Sequence, residues 1–483
     1  MRKIAAWFRS HPLTVIGLAL VGCALGLHLF ANWRAEVRWQ NYCATARARG
    51  VKLTLAEFAP PEIPDAENFA KLPMFRTALT RGAPSPFKMP RPNGGSTPAY
   101  SYSKGERLDF KAWAKFFKDA GFISEMTDSP PRDVLFALEH YAPLCKEWSE
   151  WRSRPHCQFP VQLDASGWPQ MPNYDIFSSA YQLFTLRMHA HLAIGDSAAA
   201  LADFQDALQA YRVFEHASSL VGAALRMGLL AVVCSQLGES LAQPKWGDAE
   251  LQQIQQTLAT VNVWKDYKQG LDAERVLSNS MYDRLAQSVA ERKKLSPMML
   301  FPATASWKNT AFALIPSRVF RDNQLLQNQY LDEQLARISA DEHKFDVYRA
   351  SLSNPENLNG YFDEYYFFFA KLFGSGISAI SGQSVLIQTR LDQTQLAVAL
   401  ERFRLAHGTF PERLAELVPD FIAEVPMDTY SRQPLVYRRK EGGTFLLYGV
   451  GRVFMDDGSA VNSTHPESNQ TDIVWRYAPP AAL

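Results

Sequence analysis

The chain of 483 residues has no surplus of charge of either sign, few cysteines and a single long apolar run, and each shortage removes a class of protein. Fifty Lys and Arg stand against 49 Asp and Glu, so there is no general basic excess of the kind that binds nucleic acid. Five cysteines in a chain of this length do not build a disulfide scaffold. The catalytic signatures that spacing alone reveals are missing: there is no Walker loop, no G-x-S-x-G elbow and no H-E-x-x-H helix. Ser85-x-x-Lys88 and Ser101-x-x-Lys104 share a spacing with penicillin-binding elements, but both fall among prolines and lack a K-T-G partner. His189 and His191, two apart, point to different faces of a helix and cannot form the i, i+4 zinc pair. What remains is a chain 47% hydrophobic and 20% charged, ordinary for a globular protein and long enough for two to four domains.

The one long apolar run is residues 13–31, whose only polar side chains are Thr14 and His28. At about 1.5 Å per helical residue it nearly crosses the ~30 Å hydrocarbon layer. Arg2, Lys3 and Arg9 precede it, and Trp33, Arg34 and Trp39 follow. That flanking predicts a single-pass anchor with a cytoplasmic N-terminus and the bulk of the chain outside, in the periplasm. Two processed alternatives stay open: lipidation of Cys23, since Leu20-Val21-Gly22-Cys23 has lipobox form, and removal of a signal peptide. Residues 220–237 are the next most apolar, but Arg226, Ser235 and Gln236 interrupt them, which suits a core helix better than a second span.

Beyond the anchor (1–34) the pattern divides the chain into four further parts. Residues 35–104, rich in proline, predict a juxtamembrane helix and an extended connection. Residues 105–345 carry three- and four-residue apolar spacing and predict an α-helical body. Residues 346–385 hold an aromatic cluster, Tyr365 to Phe369 and Phe373, that is expected to be core or to meet a partner or membrane interface, followed by a glycine-containing connection. Residues 386–483 predict a helix, a second short helix bounded by Pro411 and Pro419, then short strands with a turn at Glu441-Gly442-Gly443. The expected fold class is therefore mainly α, with a small C-terminal α+β domain. Cys145 and Cys157 straddle a helix end and a proline loop at a spacing that an oxidising compartment bridges; two buried thiols are the alternative.

Three resemblances attach to particular residues. The stretch from Ala193 to Leu208, with its Gly195-Asp196 break, resembles one tetratricopeptide hairpin, which implies close helix packing. Arg154-Pro155-His156-Cys157-Gln158-Phe159-Pro160-Val161, Gly195-Asp196 and Trp246-Gly247-Asp248-Ala249-Glu250-Leu251 resemble landmarks of a membrane-anchored bacterial family of planctomycete- and verrucomicrobial-type genomes, a resemblance that implies no activity. Ala399 to Arg404, His407-Gly408-Thr409-Phe410-Pro411, Val425-Pro426-Met427-Asp428, Pro434-Leu435-Val436-Tyr437 and Tyr448-Gly449-Val450-Gly451 resemble the soluble domain of type II secretion major pseudopilins. In that family the anchor begins this same helix, whereas here it lies far upstream. The pseudopilin resemblance implies a calcium loop at Asp456, Asp457, Asn462 and Asp472, hard oxygen donors suited to that ion; a solvated turn is the alternative. No catalytic residue and no other cofactor is expected. The functional expectation is a non-enzymatic envelope scaffold that binds protein partners, and the alternative is an envelope hydrolase whose site is assembled from dispersed residues.

Overall fold

The computed structural model describes residues 12–77, 80, 83–90, 98, 108–160, 170–216, 219–243, 245–299, 306–341, 343–349, 352–440, 443–450 and 473–476. The fold is mainly α, as expected. Helix α1 (Pro12–Ala48, 37 residues) begins in the apolar run and continues without a break, so the boundary expected at residue 34 falls inside one helix. After a single turn, α2 (Leu55–Phe58), closed by a capping box between Thr54 and Glu57, the chain enters the proline-rich region.

That region differs from the extended connection expected of it. Short 3₁₀ turns at Asp65–Glu67, Phe69–Lys71 and Pro73–Thr77 place Phe69, Leu72 and Phe75 three residues apart on one side, and all are buried together with Phe87. Prolines here stop helices without stopping burial, because aromatic rings carry enough apolar area to dock an irregular chain. They dock on α5 (Ala142–Trp151) and the long α6 (Tyr174–Ile194), in a core that also takes in α3 (Phe110–Asp119) and α4 (Pro130–Leu138). Trp148 of α5 sits at the centre, edge-on to Phe69, Phe75 and Phe87 with ring centroids 5.1, 5.8 and 5.6 Å away.

Helices α6 and α7 (Ser197–Arg212) pack as a hairpin. Gly195 takes φ +88°, a left-handed cap open to glycine, and Asp196 accepts the Ala199 N–H at 3.0 Å to start the next helix. The apolar α8 (Leu220–Leu241) is a core helix, with Leu229, Leu230, Val233 and Leu237 buried. It packs on α6, α7 and α10 (Val263–Gln287), and α9 (Asp248–Ala259), α11 (Val289–Met299), α12 (Ser306–Ala313) and α13 (Ser317–Leu335) are further helices of the body. A two-residue antiparallel pair, β1 (Ile338–Ser339) and β2 (Lys344–Phe345), follows. It sets Phe345 flat on Trp264, centroids 4.8 Å apart.

The aromatic segment forms α14 (Tyr361–Tyr366) and the start of α15, a 40-residue helix (Phe368–His407). The expected boundary at residue 386 therefore lies within a continuous helix. Past Gly408, at φ +75°, the chain makes the antiparallel sheet β3 (Val436–Lys440), β4 (Thr444–Gly449) and β5 (Ile473–Arg476), with Tyr437 opposite Leu447 and Leu447 opposite Trp475. This sheet is joined to the body. A Cβ on Gly238 of α8 would stand 2.9 Å from Trp475 Nε1, so the missing side chain lets the indole close on α8.

Candidate functional site

Helix α1 has two halves of opposite character. Leu13, Leu20, Val21 and Leu27 are at least 66% exposed, as in a candidate membrane span, and a signal sequence shares that length and composition. Cys23, the lipidation candidate, lies within this exposed half. From Ala35 the helix is part of the body: Trp39, Cys43 and Ala46 are buried against Leu53. The polar contacts are more specific. Arg38 pairs with Asp322 at 2.5 Å, Glu36 accepts from Arg321 at 2.7 Å, and Arg49 pairs with Asp332 at 2.8 Å. Asp332 also receives the fully buried Arg275 at 2.8 Å and the Tyr42 hydroxyl at 3.1 Å. A row of buried amides, Asn279, Gln324 and Asn328, continues the seam between α10 and α13. Helix α13 runs parallel to α1, since its second residue, Arg318, donates its N–H to Asn32 at 3.1 Å and its later Asp332 meets Arg49.

That alignment places a set of exposed apolar side chains where the exposed half of α1 leaves the body. Leu314 precedes Arg318 and is 73% exposed; Phe362 and Tyr365 are 79% and 72% exposed. Helix α14 is held at this level by the Tyr366 hydroxyl on Asp322, the residue that also binds Arg38. Of the aromatic cluster expected to be core or interface, Phe369 is buried on Phe312 and Phe320, while Phe362, Tyr365 and Phe368 face outward.

A second concentration of polar groups lies in the body. The Arg226 guanidinium of α8 donates to Asp266 of α10 at 2.8 Å and stacks over Tyr211, 4.2 Å from its ring centroid. The Tyr211 hydroxyl donates to the same carboxylate, and all three residues are buried. Burial pushes the Asp266 carboxyl up, against the pull of Arg226. On α10 about two turns further, burial raises Glu274 to about 7, partly offset by the Leu220 N–H it accepts. A carboxyl raised in this way stabilises the fold below the ordinary carboxyl range, and that contribution is lost as pH rises through about 7.

Beside Arg226, three metal-competent side chains meet. His156 comes from the segment after α5, Glu215 and His216 from the turn that ends α7, and one donor atom of each lies within 4.8 Å of the others. The His156 segment is fastened to residues 65–71. Its backbone N–H donates to Glu67, its carbonyl accepts from Phe69, and the buried Asn68 both donates to Gln158 O and accepts from Gln158 N at 2.9 Å. Arg212 of α7 donates to the Pro155 carbonyl. Burial holds His216 below the ordinary imidazole range; Glu215 opposes that shift, and His156 and Arg226 add to it. A cavity of about 30 Å³ opens next to His216 between Cys157, Met171 and Phe214.

The residues singled out from sequence fall elsewhere or only border this place. Cys145 and Cys157 stand as separate buried thiols. Burial pushes Cys145 up to about 11, with Arg187 pulling against it, and raises Cys157 further, with Glu215 adding to the rise and Arg212 opposing it. His189 is buried with Gln236 at 3.0 Å, while His191 turns toward Asp203. Ser85 uses its hydroxyl on the Phe87 N–H, within a turn. Asp456, Asp457, Asn462 and Asp472 lie outside the described residues. The His156–Glu215–His216 meeting was missed because its members come from distant segments; the adjacent Glu-His pair after a helix end was the only local sign of it.

Taken together, these features define a mainly α-helical body with an apolar N-terminal helix that is a candidate membrane span. No protein-family model, curated protein or solved structure matches the chain.

Proposed function

We propose that this protein is a membrane-anchored, extracytoplasmic interaction platform of the bacterial envelope, without catalysis, that binds protein partners. The observation that carries the reading is α1: its exposed apolar half suits a bilayer, and its second half is ion-paired into the body at Asp322, Arg321 and Asp332. Such a joint fixes the height and tilt of the body over the membrane, which a flexible tether does not. The outward collar of Leu314, Phe362 and Tyr365 rests at that surface, where aromatic side chains partition well. In this orientation the N-terminus is cytoplasmic and the body periplasmic; a lipoprotein held at Cys23 is the alternative mode of attachment. The α6–α7 hairpin serves as a tetratricopeptide-like packing unit, and the C-terminal helix and sheet as a pseudopilin-like module with a secretion-associated role. The hydrolase alternative draws its support from the meeting of His156, Glu215 and His216 across dispersed segments. Crosslinking in native membranes followed by capture of the full chain is expected to enrich a reproducible set of envelope proteins. Recovery of the chain alone contradicts the platform.

A further inference from the structure

We propose that His156, Glu215 and His216 bind one divalent transition-metal ion of the zinc class, which ties the segment after α5 to the end of α7. The first ground is convergence: two segments distant in the chain bring two imidazoles and a carboxylate within 4.8 Å of one another. The second is that their donor atoms lack other work. His156 Nδ1, Glu215 Oε2 and His216 Nε2 are each buried without a hydrogen-bond partner. A buried polar atom left unpaired costs about 1–3 kcal/mol, and one such atom on each residue of the cluster is accounted for together by a single shared cation.

The donor set selects the ion. Two imidazoles and one carboxylate are zinc-type ligands, whereas Ca²⁺ and Mg²⁺ take oxygen alone. Three protein ligands leave a fourth position open, and the 30 Å³ cavity beside His216 has room for a water molecule to fill it. Bonds of about 2.0–2.2 Å in a tetrahedron set donors roughly 3.4 Å apart. Since the donors already lie within 4.8 Å of one another, the ligands close by no more than about 1.4 Å when the ion binds. The nearby Arg226 does not repel the ion strongly, because its charge is paired with Asp266 at 2.8 Å. The competing account is a small water network bridging the same three atoms.

The test uses the full chain in detergent, stripped with chelator and titrated with Zn²⁺ against a competing indicator, and with Co²⁺ read by visible absorption. The expected result is one equivalent bound, a raised melting temperature, and a Co²⁺ spectrum of four-coordinate intensity. His156→Ala, His216→Ala and Glu215→Gln are each expected to weaken binding at least about tenfold, while His191→Ala, outside the cluster, leaves it unchanged. The metal-free variants are compared with the metal-free parent by circular dichroism, so that misfolding is recognised. Should a variant misfold, the parent's Co²⁺ spectrum and Zn²⁺-dependent melting still decide. No stoichiometric binding by the parent, or binding that survives all three substitutions, overturns the site in favour of water.

Discussion

Replacing Asp266 by alanine is expected to lower the stability of the chain by about 3–5 kcal/mol, because it strands a buried guanidinium. Arg226 is 8% exposed, its Nε is held by Asp266 at 2.8 Å, and its Nη1 already has no partner. A guanidinium does not shed its proton to escape burial. The reverse deletion, Arg226→Met, is expected to cost less, since the Asp266 left behind can take up a proton. Its carboxyl, already raised by burial, rises further without the arginine. The group then stabilises below the ordinary carboxyl range and loses that contribution as pH rises, so the Arg226→Met penalty should be larger at pH 8 than at pH 5. Combining both substitutions should recover much of the Asp266→Ala loss. Denaturant unfolding of the three variants at two pH values measures all of this, and an Asp266→Ala cost below about 1 kcal/mol would sink the account of the pair.

Trp148→Ala should cost a similar ~3–5 kcal/mol, by a different route. Its ring is fully buried and touches aromatics from both sides of the interface: Phe69, Phe75 and Phe87 from the proline-rich region and Phe184 from α6. Its indole N–H donates to the Asp206 carbonyl at 3.2 Å. Truncation leaves a cavity and removes the indole's bond to α7 at the point where an irregular chain is held down. The local consequence is sharper than the global one, because the described residues between 60 and 90 form only short 3₁₀ turns of their own to fall back on. Limited proteolysis is expected to cut there in Trp148→Ala and not in the parent, while Trp148→Phe, which keeps most of the apolar contact, stays resistant. Equal resistance of the alanine variant would mean that the region is retained by something other than this cluster.

These two sites also mark where sequence patterning stops being informative. The α6–α7 hairpin was legible because its causes are local: periodic apolar positions, a glycine able to take φ +88° and an aspartate placed to cap. The β3–β4 pairing was legible for the same reason, with Gly443 at φ +70°, while residues 441 and 442 of the expected turn lie outside the described residues. The proline-rich region misled because prolines report broken helices and say nothing of burial; the signal was Phe69, Leu72 and Phe75 at three-residue intervals. Helix continuity through residues 34 and 386 was hidden as well, since composition changes along α1 and α15 without any residue that ends a helix. Least legible were the polar meetings. Nothing in the spacing of Arg226 and Asp266, or of His156 and Glu215-His216, reveals that the folded helices bring them together, because that depends on tertiary packing.

The central claim is that α1 joins bilayer and body so directly that the collar at Leu314, Phe362 and Tyr365 meets the lipid surface. The most direct test labels Phe362→Cys, in a Cys23→Ser background, with an environment-sensitive fluorophore on the full chain reconstituted in bilayers. The other four cysteines are buried and leave the label site-specific. A blue-shifted emission quenched by lipids carrying a spin label near the headgroup is the predicted result. Water-like emission that no lipid quencher reaches would contradict it.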